Sequence, residues 1–148
     1  MATLREIELT YRFKEVDCDI TGKTANSPEV IGKLFDYLKH ETKEVFIVVN
    51  LTSQHEVNCF EVVAKGTADA ISARPVELLR TAVILNLKAV ILIHNHPSGL
   101  SEPSQADVRF TERVIEIGNI LNITVLDHVI IGLNQHTSMR QTHAHIFK

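Results

Sequence analysis

The chain contains no long apolar run. Stretches such as Ala89 to Ile93 fall far short of the roughly 20 apolar residues that a membrane-spanning helix needs. Met1 opens a mixed polar segment without the organisation of a signal peptide. These features lead one to expect a soluble, cytoplasmic protein with no membrane partner. Cysteine is scarce as well. Cys18 and Cys59 are the only two, and they have neither paired spacing nor a CxxC partner, which excludes a disulfide framework and a thiolate metal site. Both read as small buried apolar groups. Clustered positive charge is also missing: the 15 Lys and Arg are scattered and the formal net charge is −3, so the usual electrostatic footprint of a nucleic-acid binder is absent. Neither internal repeats nor low-complexity linkers occur.

What remains suits one domain. A length of 148 residues with 45% hydrophobic content can bury a single sizeable core, so the domain is expected to span 1–148. Residues 1–26 read as an N-terminal strand and connection, and 133–148 as a C-terminal tail. Ile7 to Phe13 alternates apolar and polar residues, as a strand does. Ser27-Pro28-Glu29 marks a helix start, with Ser27 as N-cap and Pro28 at the first helical position, and that helix is predicted to reach about Lys39. Glu44 to Leu51 and Glu56 to Lys65, both rich in Val, Ile and Phe, read as a hairpin ended by Gly66. Pro75 to Leu87 has helical apolar spacing. Ala89 to Ile93, continuous and β-branched, reads as a central strand buried on both faces. A helix from about Gln105 to Leu121 follows, with Val108, Thr111, Val114, Ile115 and Gly118 on one side. Ile123 to Gly132 reads as a strand, with a weaker one near Thr137 to Arg140. This order implies an α/β fold with a mixed sheet and helices packed on its faces.

The chemistry concentrates in His94-Asn95-His96-Pro97-Ser98-Gly99 and Pro103-Ser104-Gln105-Ala106-Asp107. Positions two apart on an extended backbone project to the same side, so His94 and His96, at the carboxyl end of the predicted central strand, can face one metal. Open α/β sheets tend to bind ligands beyond the carboxyl ends of their strands. The loop can fold back so that Asp107, the third residue of the next helix, presents a carboxylate to the same point. Two His and one carboxylate leave a zinc position open for water, the catalytic pattern and not the structural one. An ordinary reading competes: Ser104 to Asp107 has the form of a helix capping box, and buried histidines are commonly satisfied by hydrogen bonds alone. Cap and ligand can coexist.

This block resembles the signature of the JAMM (JAB/MPN) metalloproteases, His-x-His-Pro followed by Ser-x-x-Asp, and is most similar to the RadC branch through the fuller wording HNHPSG and EPSQAD. The likeness continues through Gly66-Thr67, Arg74-Pro75, Ala89 to Leu92 and Leu126-Asp127-His128-Val129-Ile130, covering most of the chain from about Glu44 to Gly132. The resemblance implies an MPN/JAB-type domain with a cytidine-deaminase-like layout. It also implies Zn2+ held by His94, His96 and Asp107, a glutamate at the start of an earlier strand as general acid/base, and an oxyanion-stabilising role for Ser104. Glu44 fits the glutamate's place, and Glu61 on the following strand is the second candidate. Asn95 stands between the two histidines, as in the RadC branch, where established peptidases of the family usually carry Ser or Thr. The RadC branch also carries an N-terminal helix-hairpin-helix region, for which the residues before Ser27 leave no room, so a short form is expected.

The implied chemistry is coherent in itself. Zinc brings the pKa of bound water toward about 7, and a nearby carboxylate can take the proton and return it to a leaving amine, so the substrates would be amides or isopeptides of a peptide or protein. Ser104 could donate to the developing oxyanion. A DNA-repair accessory role with a structural or vestigial metal site is the alternative, and it travels with the family label alone. A deaminase is excluded by the missing H-x-E and P-C-x-x-C signature. Among the other histidines, His128 either bonds outside the first metal shell or simply alternates faces with Asp127. His143 and His145 fall on an expected frayed tail without a role, and His40, His55 and His136 read as solvated turn residues.

Overall fold

The computed structural model describes residues 1–17, 27–66 and 73–148; Cys18 and Thr67 lie outside them. Five strands form one sheet in the order β2-β1-β3-β4-β5, with β1 at Glu44–Leu51, β2 at Val57–Gly66, β3 at Ala89–Asn95, β4 at Thr124–Ile131 and β5 at His136–Ser138. β1 runs antiparallel to both β2 and β3, whereas β3 and β4 are parallel. A parallel pair needs a crossover, and α3, Gln105–Ile120, supplies it. The sheet is therefore mixed, with helices on both faces, as the order of apolar patterns predicts.

Strand alternation sorts the core into two layers. On one face Val45, Ile47, Val49, Ile91 and Ile93 pack beneath Ile31, Phe35 and Leu38. Ile31 belongs to α1, Pro28–Leu34, Leu38 to the 3₁₀ turn Asp36–His40 that follows it, and Phe35 to the junction between the two. On the other face Phe46, Val48, Val90 and Leu92 meet α2, Pro75–Ile84, and α3. β1 and β3 are buried along their whole length, as continuous β-branched runs should be.

Several expectations need correction. Ile7 to Phe13 forms no strand: residues 1–17 have no regular structure, and Ile7, Leu9, Tyr11 and Phe13 are exposed. Alternation encodes a potential face, but among the described residues no sheet edge pairs with it. The first helix stops at Leu34 instead of about Lys39, because the tighter 3₁₀ turn brings Leu38 onto the same buried face as Phe35. α2 stops at Ile84, short of Leu87. Asn86 takes a left-handed φ of 55° there, and Leu87 N–H bonds back to the Ala82 carbonyl. The same device ends α3, with Asn122 at φ 58° and Ile123 N–H on the Gly118 carbonyl; Asn tolerates this conformation better than most residues. The C-terminal stretch is not a frayed tail. Met139–Thr142 forms α4, and a 3₁₀ turn over Ala144–Phe147 packs Ile146 and Phe147 on the second core layer. His136 is not free in solvent either, since its ring lies against Gly32, where an added Cβ would stand 2.5 Å from Nδ1. Cys59 is only half-buried and accepts a hydrogen bond from Asn50 Nδ2 at 3.6 Å. No helix among the described residues is long and apolar enough to cross a membrane.

Candidate metal centre

The antiparallel pairing of β1 with β3 puts the start of one strand beside the end of the other. Phe46 is the register partner of His94, so Glu44, two residues earlier on the same face, reaches the rim where β3 ends. Beyond β3, His96 N–H bonds to the Ile131 carbonyl and Gly99 N–H to the His96 carbonyl, closing a turn. Gly99 sits at φ 89°, a value that only glycine adopts without strain. The turn aims the Leu100 carbonyl at His96 Nδ1, 3.0 Å away. A carbonyl can only accept, so His96 Nδ1 carries a proton, and Nε2 turns toward the rim.

Three groups converge there. His96 Nε2 lies 3.0 Å from His94 Nε2 and 3.0 Å from Asp107 Oδ2, and His94 Nε2 lies 3.4 Å from Asp107 Oδ1. His94 is fully buried, Asp107 nearly so, and His96 is half-buried. This donor set of two imidazoles and a carboxylate could hold a cation. Glu44 is 8% exposed. Its Oε1 stands 3.9 Å from His94 Nε2 and has no hydrogen-bond partner among the described residues. Phe46 stacks on the His94 ring at 12° between planes, walling the centre on the sheet side.

The electrostatics follow from this crowding. Burial first, and then the Asp107 charge, push the Glu44 carboxyl up to about 7 despite His96. Burial pushes Asp107 up as well, but the two imidazoles and the Ser104 N–H together outweigh it and hold the carboxyl well below the usual range. His94 is lowered, chiefly by burial. His96 is also disfavoured as a cation by burial, yet Asp107, the Leu100 carbonyl and Glu44 raise it overall.

The structure thus brings His94, His96, Asp107 and Glu44 together. Ser104 stands beside them as the helix cap: its Oγ accepts from Asp107 N–H at 3.0 Å, and its own N–H donates to Asp107 Oδ2 at 2.9 Å. That oxygen also faces His96, so cap and convergent carboxylate coexist in one residue. Glu61 is placed elsewhere. It lies on β2, separated from β3 by β1, and pairs with Arg80 of α2 at 2.7 Å.

The sequence pattern of the RadC-like JAB domain matches residues 25–144. The chain belongs to this family. It is also similar to a UPF0758 protein of Cellvibrio japonicus (strain Ueda107), with 37% identity over 136 residues, 91% of this chain and 60% of the relative. The chain therefore spans about three-fifths of the length of that curated relative.

Two features of this RadC-like JAB domain escape local sequence reading. Asn95, 1% exposed, accepts from Val45 N–H at 2.7 Å through Oδ1 and donates to the Lys43 carbonyl at 3.1 Å. It thereby grips the backbone on both sides of Glu44. The second is His128. It does alternate with Asp127, whose carboxylate bonds Ser138 on the opposite face, but the face it occupies is that of His94, with His94 Nδ1 2.7 Å from His128 Nε2. The matching parity arises at Leu126, an extra residue where the β3–β4 register shifts, since Val90 pairs with Val125 but Ile91 with Asp127. His143 lines a shallow cleft of about 300 Å³ with Pro103, Ser104, Gln105, Val108 and Arg109. His40, His55 and His145 are exposed.

Proposed function

We propose that this RadC-like domain is a zinc-dependent hydrolase of amide or isopeptide bonds. The observation that carries the reading is the convergence of His94 Nε2, His96 Nε2 and the Asp107 carboxylate within 3.0 to 3.4 Å beside an orphaned, half-neutral Glu44 carboxyl. Three protein ligands leave a coordination position open, and a zinc ion held there supplies a Lewis acid and a water acidified to about pKa 7.

The chain's own residues perform the proton handling. Glu44, poised at about 7, can accept a proton from a water molecule at the rim and deliver it to the departing amine, because a catalytic acid/base works best with its pKa near the working pH. Asn95 holds the backbone on both sides of that carboxylate. The Ser104 hydroxyl, which uses its oxygen to cap α3, retains its hydrogen for a developing oxyanion in the adjacent cleft. The buried imidazole and Phe46 keep bulk water from the sheet side of the centre.

The test is a pair of measurements on the purified chain. Elemental analysis should give zinc near one per chain, lost in Asp107→Ala; iron in its place would redirect the chemistry, since two His and one carboxylate also suit ferrous oxygenases. Glu44→Gln should keep the zinc and abolish turnover on a panel of peptides and isopeptide-linked conjugates. Zinc binding with no wild-type turnover on that panel, joined to salt-dependent DNA binding, would replace hydrolysis with the accessory role.

A further inference from the structure

Behind His94 a chain of hydrogen bonds runs through residues with no solvent exposure. His94 Nδ1 lies 2.7 Å from His128 Nε2, and His128 Nδ1 lies 2.6 Å from Thr111 Oγ1. The Thr111 hydroxyl reaches the main-chain carbonyl of Asp107, one turn earlier on α3, at 2.7 Å. His94, His128 and Thr111 are each 0% exposed, so no water competes for these bonds.

The last acceptor sets the direction of every proton. A carbonyl oxygen cannot donate, so the Thr111 hydrogen points to Asp107. The nearby Met139 sulfur, at 3.7 Å, is likewise only an acceptor. The hydroxyl oxygen must then accept from His128 Nδ1–H. His128 has no solvent exposure, and its two ring nitrogens face only Thr111 and His94, with no carboxylate bonded to them; an imidazole buried without a counter-charge stays neutral and carries one N–H, so its Nε2 is a lone pair that accepts from His94 Nδ1–H. His94 Nε2 is left without a proton, facing His96 and Asp107. His96 Nδ1 makes a parallel bond to the Leu100 carbonyl at 3.0 Å.

We infer that His128 and Thr111 are positioning residues that lock His94 in its Nδ1–H form and so present the Nε2 lone pair to a cation. Main-chain and side-chain groups of Asp107 then serve the same centre from two directions. The consequence for metal affinity rests on the proposed zinc reading, whereas the tautomer itself is a property of the metal-free chain.

The experiment uses the full chain labelled with nitrogen-15 histidine and freed of metal by chelation. Long-range proton–nitrogen correlation spectra should show His94 with Nδ1 protonated and Nε2 bare in the wild type. His128→Phe and Thr111→Val should move His94 toward the Nε2–H form, while Thr111→Ser, which keeps the hydroxyl, should restore the wild-type pattern. Zinc affinity, measured against a competing chelator, should fall about ten- to a hundredfold in His128→Phe and Thr111→Val and recover in Thr111→Ser. A proton on Nε2 of His94 in the wild type would overturn the inference, as would an unchanged tautomer in the folded Thr111→Val protein. A chain that binds no zinc would sink the proposed function, yet the metal-free spectra would still decide the tautomer.

Discussion

Replacing Glu44 by Gln should stabilise the metal-free protein, and only above mildly acidic pH. The substitution keeps the shape of the side chain and removes its charge. In the fold the carboxyl is raised from 4.5 to about 7 by burial and the Asp107 charge. A group whose folded pKa lies above its unfolded value contributes stability that is complete below the unfolded pKa and lost as pH rises through the folded one. Wild type should therefore lose stability relative to Glu44→Gln between about pH 4.5 and 7, and the gap should level off above about pH 8. At about 1.4 kcal/mol per pH unit, the rise sets a ceiling of about 3 kcal/mol. The attraction of His96 is already contained in that value, and the burial is not complete, so a plateau of roughly 1–3 kcal/mol is expected. Urea unfolding with chelator present, repeated from pH 4 to 9 for both proteins, gives the difference curve directly. Parallel curves would refute the reasoning, and a wild type that gains on the variant as pH rises would reverse its sign.

Three further substitutions separate overlapping roles. Ser104→Ala should cost about 1 kcal/mol of stability through the lost cap while keeping the metal, whereas Asp107→Ala should cost a similar amount and lose it; equal zinc content in the two would contradict the double role of Asp107. Asn95→Ala leaves the Val45 N–H and Lys43 carbonyl without their partners and should cost about 1–3 kcal/mol, with faster hydrogen exchange at Val45 and unchanged zinc stoichiometry; a Val45 amide that stays equally protected would dismiss the clamp. Gly118→Ala would place a Cβ 2.5 Å from the Ile123 carbonyl, so the urea midpoint should fall by the equivalent of roughly 1–3 kcal/mol, although Ala is the better helix former. A higher midpoint would show that the α3–β4 corner can relax.

The parts of this fold that could be read from sequence are those whose signal is local. β1, β3 and α3 announce themselves by composition and period, and His94, His96 and Asp107 lie close enough along the chain for strand and helix geometry to bring them together. Glu44 has no such local mark; a lone acid before an apolar run looks solvated, and only family resemblance singled it out. Asn95 could not be found locally either, since its bonds join backbone groups that are 50 and 52 positions away. The shared face of His128 and His94 depends on the irregularity at Leu126, which strict alternation does not describe. Ile7 to Phe13 shows the opposite failure, because its pattern specifies a face while pairing depends on an available edge. The Asn86 cap shortens α2 for a similarly specific reason, a left-handed residue that propensity alone does not locate.

The groups at the rim arrive by routes of unequal length. The two imidazoles and the aspartate belong to one strand end, one turn and one helix start, so gathering them closes only a short loop, with a small entropic cost. Glu44 joins through the seam between β1 and β3, the product of a contact distant in sequence. Under the proposed function, capturing a cation would thus be a local property of this architecture, and moving a proton a property of the assembled sheet. Fraying at the mouth of β1 would withdraw Glu44 and leave the three convergent groups in place. A binder and a catalyst would then differ by the opening of a single seam, with no change in the ligands themselves.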